Sequence, residues 1–339
     1  MDTLILTTDK SSVEKAGQIL KNGGLVAIPT ETVYGLAANA LDGEAVKKIF
    51  IAKGRPQDNP LIVHISELAQ IDALIKERSE LLERLAEKFW PGPLTVISEK
   101  SSVVPDEVTC GLDTVAVRFP SSAIAREIIS SAGVPLAAPS ANLSGSPSPT
   151  SFEHCFADLN GRVDAIINGP ECEVGVESTV ITIVGGRVRV LRPGAVTVEM
   201  LKEVVGEVEI DKAVLNQLEA DAKVSSPGMK YKHYAPKARV VILDGSREAF
   251  CRFADENRTK NTAVVCFNED DAPKGCRVYR WGEKADHETQ ARLLFDILRQ
   301  TDIDGMDTVY VHSPERDGIG LAVYNRLLRA AGFEVISLD

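Results

Sequence analysis

Two short stretches concentrate residues able to handle phosphate: Lys53-Gly54-Arg55-Pro56-Gln57-Asp58-Asn59-Pro60-Leu61 and Ala138-Pro139-Ser140-Ala141-Asn142-Leu143-Ser144-Gly145. The first sets two cations and an amide around a glycine and two prolines, a constrained array of donors suited to polyphosphate oxygens. Lys53 and Arg55 straddle Gly54, so in extended geometry their side chains leave on the same side and grip one phosphate chain. The chain carries a formal net charge of -11, so this local positive charge is not general surface basicity. Ser140 and Asn142, two residues apart, are placed to hydrogen-bond phosphate or carboxylate oxygens from a turn, although Ser-Ala-Asn by itself is an ordinary turn sequence. Arg118 ends an apolar run, where a guanidinium is suited to a bidentate pair with a carboxylate-bearing substrate. His64 sits within Leu61-Ile62-Val63-His64-Ile65, a setting in which a buried structural histidine is common. Thr30, Thr32 and Ser178 offer small hydroxyls at element boundaries.

The elements that must position these residues follow from periodicity. Up to about Gly194, short apolar runs alternate with helical patterns, giving strands over Leu25 to Ile28, Leu61 to Ile65, Leu94 to Ile97, Val115 to Arg118, Leu136 to Ala138, Thr179 to Val184 and Arg187 to Leu191. Helices are expected over Ser11 to Lys21, Glu44 to Ala52, Glu80 to Phe89, Ala123 to Ser131 and Val198 to Val205. Chemistry-bearing residues fall where these elements end, and such ends converge on one rim of an open α/β sheet. The expectation is a mixed-sheet α/β domain over residues 1–210 whose scattered residues line one cleft.

Residues 211–237 lose this periodicity and contain Ser225-Ser226-Pro227-Gly228-Met229-Lys230-Tyr231-Lys232-His233-Tyr234-Ala235-Pro236. A passive linker is Gly/Ser-rich or Pro-repeating, whereas this one clusters tyrosines, lysines and a histidine. It reads either as a linker whose aromatics pack on a surface or as a lid over a charged ligand. Residues 238–339 show a βα rhythm: strands at Val240 to Leu243, Ala263 to Phe267, Val309 to Val311 and Val335 to Ser337, separated by helices. That pattern implies a smaller, Rossmann-like parallel sheet. Gly318-Ile319-Gly320 lacks the third glycine of a dinucleotide fingerprint, since Val323 stands there, and reads as a helix-opening turn.

With 339 residues, 44% hydrophobic and 26% charged, the composition is that of a folded globular protein with two domains. No apolar run approaches the ~20 residues of a membrane helix, and the N-terminus lacks a signal-peptide pattern; a cytoplasmic location is expected. Six scattered cysteines show no CxxC pair and no histidine at ligand spacing, so no metal-ligand set is assigned. No GxxxxGK[ST] loop is present, so any ATP is held by other means. The acidic balance argues against a broad nucleic-acid footprint.

The combination of Pro29-Thr30-Glu31-Thr32-Val33-Tyr34-Gly35-Leu36, the Lys53 to Leu61 stretch, Pro91-Gly92-Pro93-Leu94-Thr95, the Ala138 to Asn142 stretch and Leu191-Arg192-Pro193-Gly194 resembles the YrdC-like family, and the tyrosine-rich linker with a second α/β domain resembles its longer, two-domain form. The resemblance implies an enzyme that condenses L-threonine, bicarbonate or CO2 and ATP into threonylcarbamoyl-AMP and pyrophosphate. A separate transferase would then place the threonylcarbamoyl group on the tRNA adenosine beside the anticodon. Carried over by position, the nucleotide contacts fall on Lys53, Arg55, Asn59, Thr114, Ser140, Asn142, Ser148, Arg192 and Tyr234, with Tyr231 the other linker tyrosine. The threonine contacts fall on Thr32, His64, Arg118, Ala138 and Ser178, and catalysis rests on Lys53 and Arg55 with Mg2+ held mainly through phosphates. Two alternatives stand beside it: a double-stranded RNA or tRNA binding module without turnover, and a carbamoyltransferase-type maturation factor, which can contain the same kind of domain. The latter is expected to add an acylphosphatase-like region and CxxC zinc modules, which this sequence lacks.

Overall fold

The computed structural model describes residues 2–217, 233–271 and 273–338. The chain forms two compact units, the first containing Met1–Ser144 and Ser148–Val214, the second containing Tyr231–Asp339 with the short segments Gly145–Pro147 and Leu215–Gln217. The tyrosine-rich stretch through Tyr231 and Lys232 lies outside the described residues, so the lid expectation falls there; His233 and Tyr234 are described.

Among the described residues, the first unit is organised on strands β1 (Leu4–Leu6), β2 (Val26–Ile28), β3 (Gly35–Asn39), β4 (Ile62–His64), β5 (Leu94–Glu99), β6 (Thr114–Arg118), β7 (Leu136–Ala137), β8 (Ala165–Ile167), β9 (Thr179–Val184), β10 (Arg187–Arg192) and β11 (Val208–Ile210). They lie in the order β1-β8-β2-β3-β7-β4-β6-β5-β9-β10-β11. Pairing is mixed: β4 runs parallel to β6, β5 antiparallel to β6 and parallel to β9, and β2–β3 is antiparallel. Four of these strands, β1, β3, β8 and β11, are not expected from sequence. β1, β8 and β11 are three residues each, too short to show alternation, and β3 reads Gly-Leu-Ala-Ala-Asn, which has little β-propensity and is strand only because neighbours on both sides pair with it.

The helices follow local chemistry more closely. Glu80–Phe89 starts at Ser79, whose hydroxyl accepts from Leu82 N, and buries Leu82, Leu85, Ala86 and Phe89 along one stripe. Gly43–Lys53 is capped by the Asp42 carboxylate and stopped by Gly54, left-handed at φ 62°, the conformation in which glycine costs least. The helix Phe152–Leu159 was not expected; Ser151 caps it and Cys155 and Leu159 anchor it. A core of aliphatic residues, among them Val13, Leu20, Val26, Ile28, Ile128, Ile129, Ala165 and Ile167, joins the helices Lys10–Lys21 and Ala123–Ala132 to the sheet.

The second unit is a parallel five-stranded sheet, β14-β13-β15-β12-β16, from β12 (Arg239–Asp244), β13 (Thr262–Cys266), β14 (Arg277–Arg280), β15 (Thr308–His312) and β16 (Val335–Ser337). The α/β class, mixed in the first unit and parallel in the smaller second, matches the expectation from periodicity. Gly318-Ile319-Gly320 opens the helix Gly320–Ala330, and a Cβ at Gly320 would stand 2.5 Å from the Glu315 carbonyl oxygen. Among the described residues no helix is long and apolar enough to cross a membrane.

Gly194 fixes how β10 leaves the sheet. A Cβ there would lie 2.8 Å from the Glu177 carbonyl oxygen and closer still to Thr179 N, both backbone atoms that cannot swing aside. Replacing Gly194 with Ala is expected to destabilise the first unit by about 1–3 kcal/mol, the usual cost of overpacking. Chemical denaturation checks this, and an unchanged midpoint would contradict the requirement.

Candidate functional site

Strand register gathers one group of the chemistry-bearing residues. His64 on β4 is the Cα partner of Arg118 on β6, and Arg118 is in turn the partner of Thr95 on β5, so the three form a cross-strand row on one face of the sheet. The loop after β2 closes over this row. Its backbone is held by Tyr34 N donating to Pro149 O at 2.9 Å, Ala141 N to Tyr34 O at 2.8 Å and Val174 N to Glu31 O at 2.9 Å. These bonds bring Thr30, Glu31 and Thr32 to Arg118.

Arg118 is 4% exposed at its side chain and Glu31 5%, and they pair at 2.8 Å. Arg118 Nη1 also donates to Thr32 Oγ1 at 2.9 Å, and Ser121 N donates to Glu31 Oε1 at 3.0 Å. Burial pushes the Glu31 carboxyl up, but the Arg118 guanidinium and the Ser121 N–H outweigh it and hold it below the usual carboxylate range. Glu31 Oε2 is buried with no hydrogen-bond partner. His64, with Nδ1 3.2 Å from the Ile62 carbonyl, is pushed down to about 3 by burial and then by Arg118, and is a neutral imidazole at physiological pH.

A second group lies where β9 begins and β10 ends. Arg192 Nε donates to Ser178 O at 3.0 Å and its Nη2 to Ser178 Oγ at 3.1 Å, while Thr95 Oγ1 and Ser178 Oγ are 2.8 Å apart. Ser178 therefore links Arg192 to Thr95, and through the strand register to Arg118. Ser148 donates its hydroxyl to the buried Glu177 carboxylate beside it.

The third group is the Lys53 stretch with the Ser140 turn, and here the extended-geometry expectation is corrected. Lys53 closes a helix and Gly54 turns left-handed, so the backbone between the two cations is not extended. Lys53 Nζ donates to Ser140 O and Asn142 O, each at 2.5 Å, and lies 3.3 Å from Asn142 Oδ1, while Arg55 Nη2 donates to Asn59 O at 2.9 Å with its guanidinium 5.8 Å from the Phe50 ring centroid. Lys53 ties the serine–asparagine turn to the helix; Arg55 fastens the following loop. Ser140 donates to Asn142 Oδ1 at 2.5 Å. Asn59 is wholly buried, yet neither its amide oxygen nor its amide nitrogen has a hydrogen-bond partner.

Ala138 forms a small buried wall, its N–H donating to Ile62 O at 2.9 Å and a Cβ on Gly35 falling 3.3 Å from its own. Thr114 opens β6, half-buried and four residues before Arg118. Tyr234 belongs to the second unit, where its ring packs 5.2 Å from Phe295 at a backbone φ of 64°.

Glu31, Thr95 and Glu177 did not emerge from the sequence as site residues. Each carried a signal: Glu31 is an acid in an otherwise uncharged, largely apolar stretch from Leu25 to Ala38, Thr95 is a polar break in Leu94-Thr95-Val96-Ile97, and Glu177 adjoins a candidate hydroxyl. Buried polar groups of this kind are kept where they have partners.

The His64 environment has a measurable consequence. An unfolded chain takes up a proton at this histidine near pH 6.5, whereas the folded one refuses it until about pH 3, so stability falls as pH drops through this window. Each unit of pH costs at most about 1.4 kcal/mol. Glu31 contributes in the opposite charge sense and only lower, its stabilisation being lost as pH falls below the ordinary carboxylate range. Denaturation midpoints between pH 7 and 5 are therefore expected to drop in the parent and to drop less in His64→Gln; parallel curves would contradict a buried neutral His64.

Comparisons with known proteins agree with one another. The Sua5/YciO/YrdC family model, described as telomere recombination, matches residues 18–194, and a model for the threonylcarbamoyl-AMP synthase C-terminal domain matches residues 196–332. The chain is similar to the threonylcarbamoyl-AMP synthase of Pyrococcus abyssi, 46% identical over 95% of each chain. It is also similar to that of Bacillus subtilis, 43% identical over 98% of this chain and 96% of the other. The crystal structure of P. abyssi Sua5 complexed with L-threonine superposes with a TM-score of 0.91 at 43% identity, covering 99% of this chain and 100% of that one.

Proposed function

Because the chain belongs to the Sua5/YrdC family in its two-domain form, we propose that it is a threonylcarbamoyl-AMP synthase, using ATP and L-threonine as substrates. The single observation that carries the reading onto these residues is a set of buried polar groups short of partners. Asn59, with both amide atoms unbonded, lies in the loop fastened by Arg55, and Glu31 Oε2 belongs to the carboxylate that pairs with Arg118. An unpaired buried polar group costs about 1–3 kcal/mol, a cost tolerated where a ligand supplies the missing bonds.

In this reading Arg118 binds the α-carboxylate of threonine, Ala138 limits side-chain size, and Thr32, His64 and Ser178 face its polar groups. Asn59, Arg55, Thr114, Ser140, Asn142, Ser148 and Arg192 meet the nucleotide. Lys53 acts by holding the turn that presents Ser140 and Asn142. The threonine amine takes up CO2, derived from bicarbonate, as a carbamate; a carbamate oxygen forms a bond to the α-phosphorus, and the α–β phosphoanhydride bond breaks to release pyrophosphate. Arg55 and Arg192 neutralise charge as it shifts to the leaving oxygens, so catalysis is positioning and electrostatic stabilisation with no protein nucleophile. Magnesium is proposed to travel on the phosphates and to supply further charge neutralisation, while the hydroxyl, amide and guanidinium donors named above meet the phosphate oxygens themselves. The adenylate product, a reactive mixed anhydride, calls for a transferase that consumes it on tRNA. Direct double-stranded RNA or tRNA contact remains part of the proposal only at that handoff.

Purified protein with ATP, magnesium and bicarbonate is expected to release pyrophosphate only when L-threonine is added, with a new adenylate in equal amount and far less with L-serine. Arg118→Lys keeps the charge but loses the fork, and is expected to raise KM for threonine about ten-fold or more while KM for ATP changes little. Threonine-independent release, or equal changes in both KM values, would overturn the reading.

A further inference from the structure

The hydrogen bonds around Thr32 can run in one direction only. Thr30 Oγ1 donates its single hydrogen to the Val33 carbonyl at 2.6 Å, so at the 2.9 Å contact between Thr30 Oγ1 and Thr32 Oγ1 the hydrogen must come from Thr32. Thr30 Oγ1 also accepts from Thr32 N at 3.3 Å, which fills its second lone pair. Thr32 Oγ1 accepts from Arg118 Nη1 at 2.9 Å, and Arg118 is held from its other side by Glu31 at 2.8 Å, itself fixed by Ser121 N. The chain is therefore Arg118 N–H to Thr32 O–H to Thr30 O–H to Val33 carbonyl, closed at both ends by groups that cannot reverse. Thr32 is wholly buried and Thr30 is 6% exposed, so bulk water does not compete for these bonds.

One capacity is left over: a single acceptor lone pair on Thr32 Oγ1. We propose that Thr30 and Glu31 are positioning residues of the threonine subsite, Thr30 by locking the Thr32 hydroxyl as an acceptor and Glu31 by holding the Arg118 fork in place. This rests on the assignment of Arg118 and Thr32 to threonine made above. The amino acid must then bring a hydrogen to Thr32, from its hydroxyl or its ammonium group, while its carboxylate takes Arg118. A ligand group that only accepts meets an acceptor there and is rejected, since a buried polar atom facing another acceptor is left unpaired.

The test measures L-threonine binding to the full chain by calorimetry, alongside KM values for threonine and ATP in pyrophosphate release. Thr30→Val keeps the side-chain shape but removes the acceptor for the Thr32 hydrogen. It is expected to weaken threonine binding about ten-fold with KM for ATP little changed and the thermal midpoint lowered by a few degrees through the unpaired Val33 carbonyl, and Thr30→Ser is expected to restore binding to within about two-fold together with the midpoint. L-2-Aminobutyrate, which lacks the hydroxyl, identifies the donor: an unchanged affinity in Thr30→Val assigns it to the hydroxyl, a parallel loss assigns it to the ammonium. Glu31→Gln is expected to weaken both ligands equally through Arg118, and Glu31→Asp to recover part of the loss. Threonine affinity unchanged in Thr30→Val, or a loss that Thr30→Ser does not rescue, overturns the proposal. Should the parent bind threonine without releasing pyrophosphate, only the reaction assignment falls and the Thr30 comparison still decides; a parent that binds no threonine overturns the subsite and this inference together.

Discussion

The buried pair between Arg118 and Glu31 is the constraint around which the first unit is arranged. Two charges nearly removed from water are costly unless their remaining hydrogen-bonding capacity is met, and breaking such a pair by deleting one partner typically costs about 3–5 kcal/mol. The surroundings meet part of that demand through Thr32 and the Ser121 N–H and leave part of it open at Glu31 Oε2. A pair so placed is an uneconomical way to stabilise a sheet, since apolar side chains would serve the core as well. It makes sense as a preorganised fork, whose geometry is set before any carboxylate arrives and needs little reorganisation on binding.

Preorganisation extends outward from this pair by distinct means. On the sheet, register alone sets His64, Arg118 and Thr95 in a row, and Thr95 passes the order on to Ser178 and Arg192. At the turn, the Lys53 ammonium binds two carbonyl oxygens of the Ser140–Asn142 segment, so a cation that sequence would send to a phosphate is spent on backbone. What that turn gains is rigidity: Ser140 and Asn142 are bonded to one another as well as to the helix end. The neutral state of His64 belongs to the same logic, because a second cation beside Arg118 would repel it and burial already opposes the charge.

Much of this was legible from sequence, and the failures have physical causes. Helices with a capping residue and an apolar stripe, such as Glu80–Phe89, were placed to the residue. Strands such as Gly35–Asn39 were not, because they exist through pairing on both sides rather than through their own residues. The parallel βα rhythm of the second unit is plain at β12, β13 and β15, which are compact apolar runs, but β14 (Arg277–Arg280) is not legible, because it reads Arg-Val-Tyr-Arg and follows β13 without an intervening helix among the described residues. At the site, residue types and motif positions point to Lys53, Arg55, Ser140 and Asn142, yet the left-handed turn at Gly54 replaces the extended geometry expected there, a change that spacing does not reveal. Glu31 is not legible as a site residue, because in the linear sequence a charge between two threonines resembles an exposed turn. Thr30 is legible only as a hydroxyl; the direction of its hydrogen bonds depends on contacts with Val33 and Thr32 that the linear sequence does not supply.

The most direct test of the central claim is a diffraction structure of the full chain with L-threonine bound. The account predicts the α-carboxylate within hydrogen-bond distance of Arg118, the Arg118–Glu31 pair unbroken and Thr32 Oγ1 facing a hydrogen of the amino acid. An Arg118 that swings away from Glu31 to meet the ligand, or threonine seated away from Arg118, would contradict it.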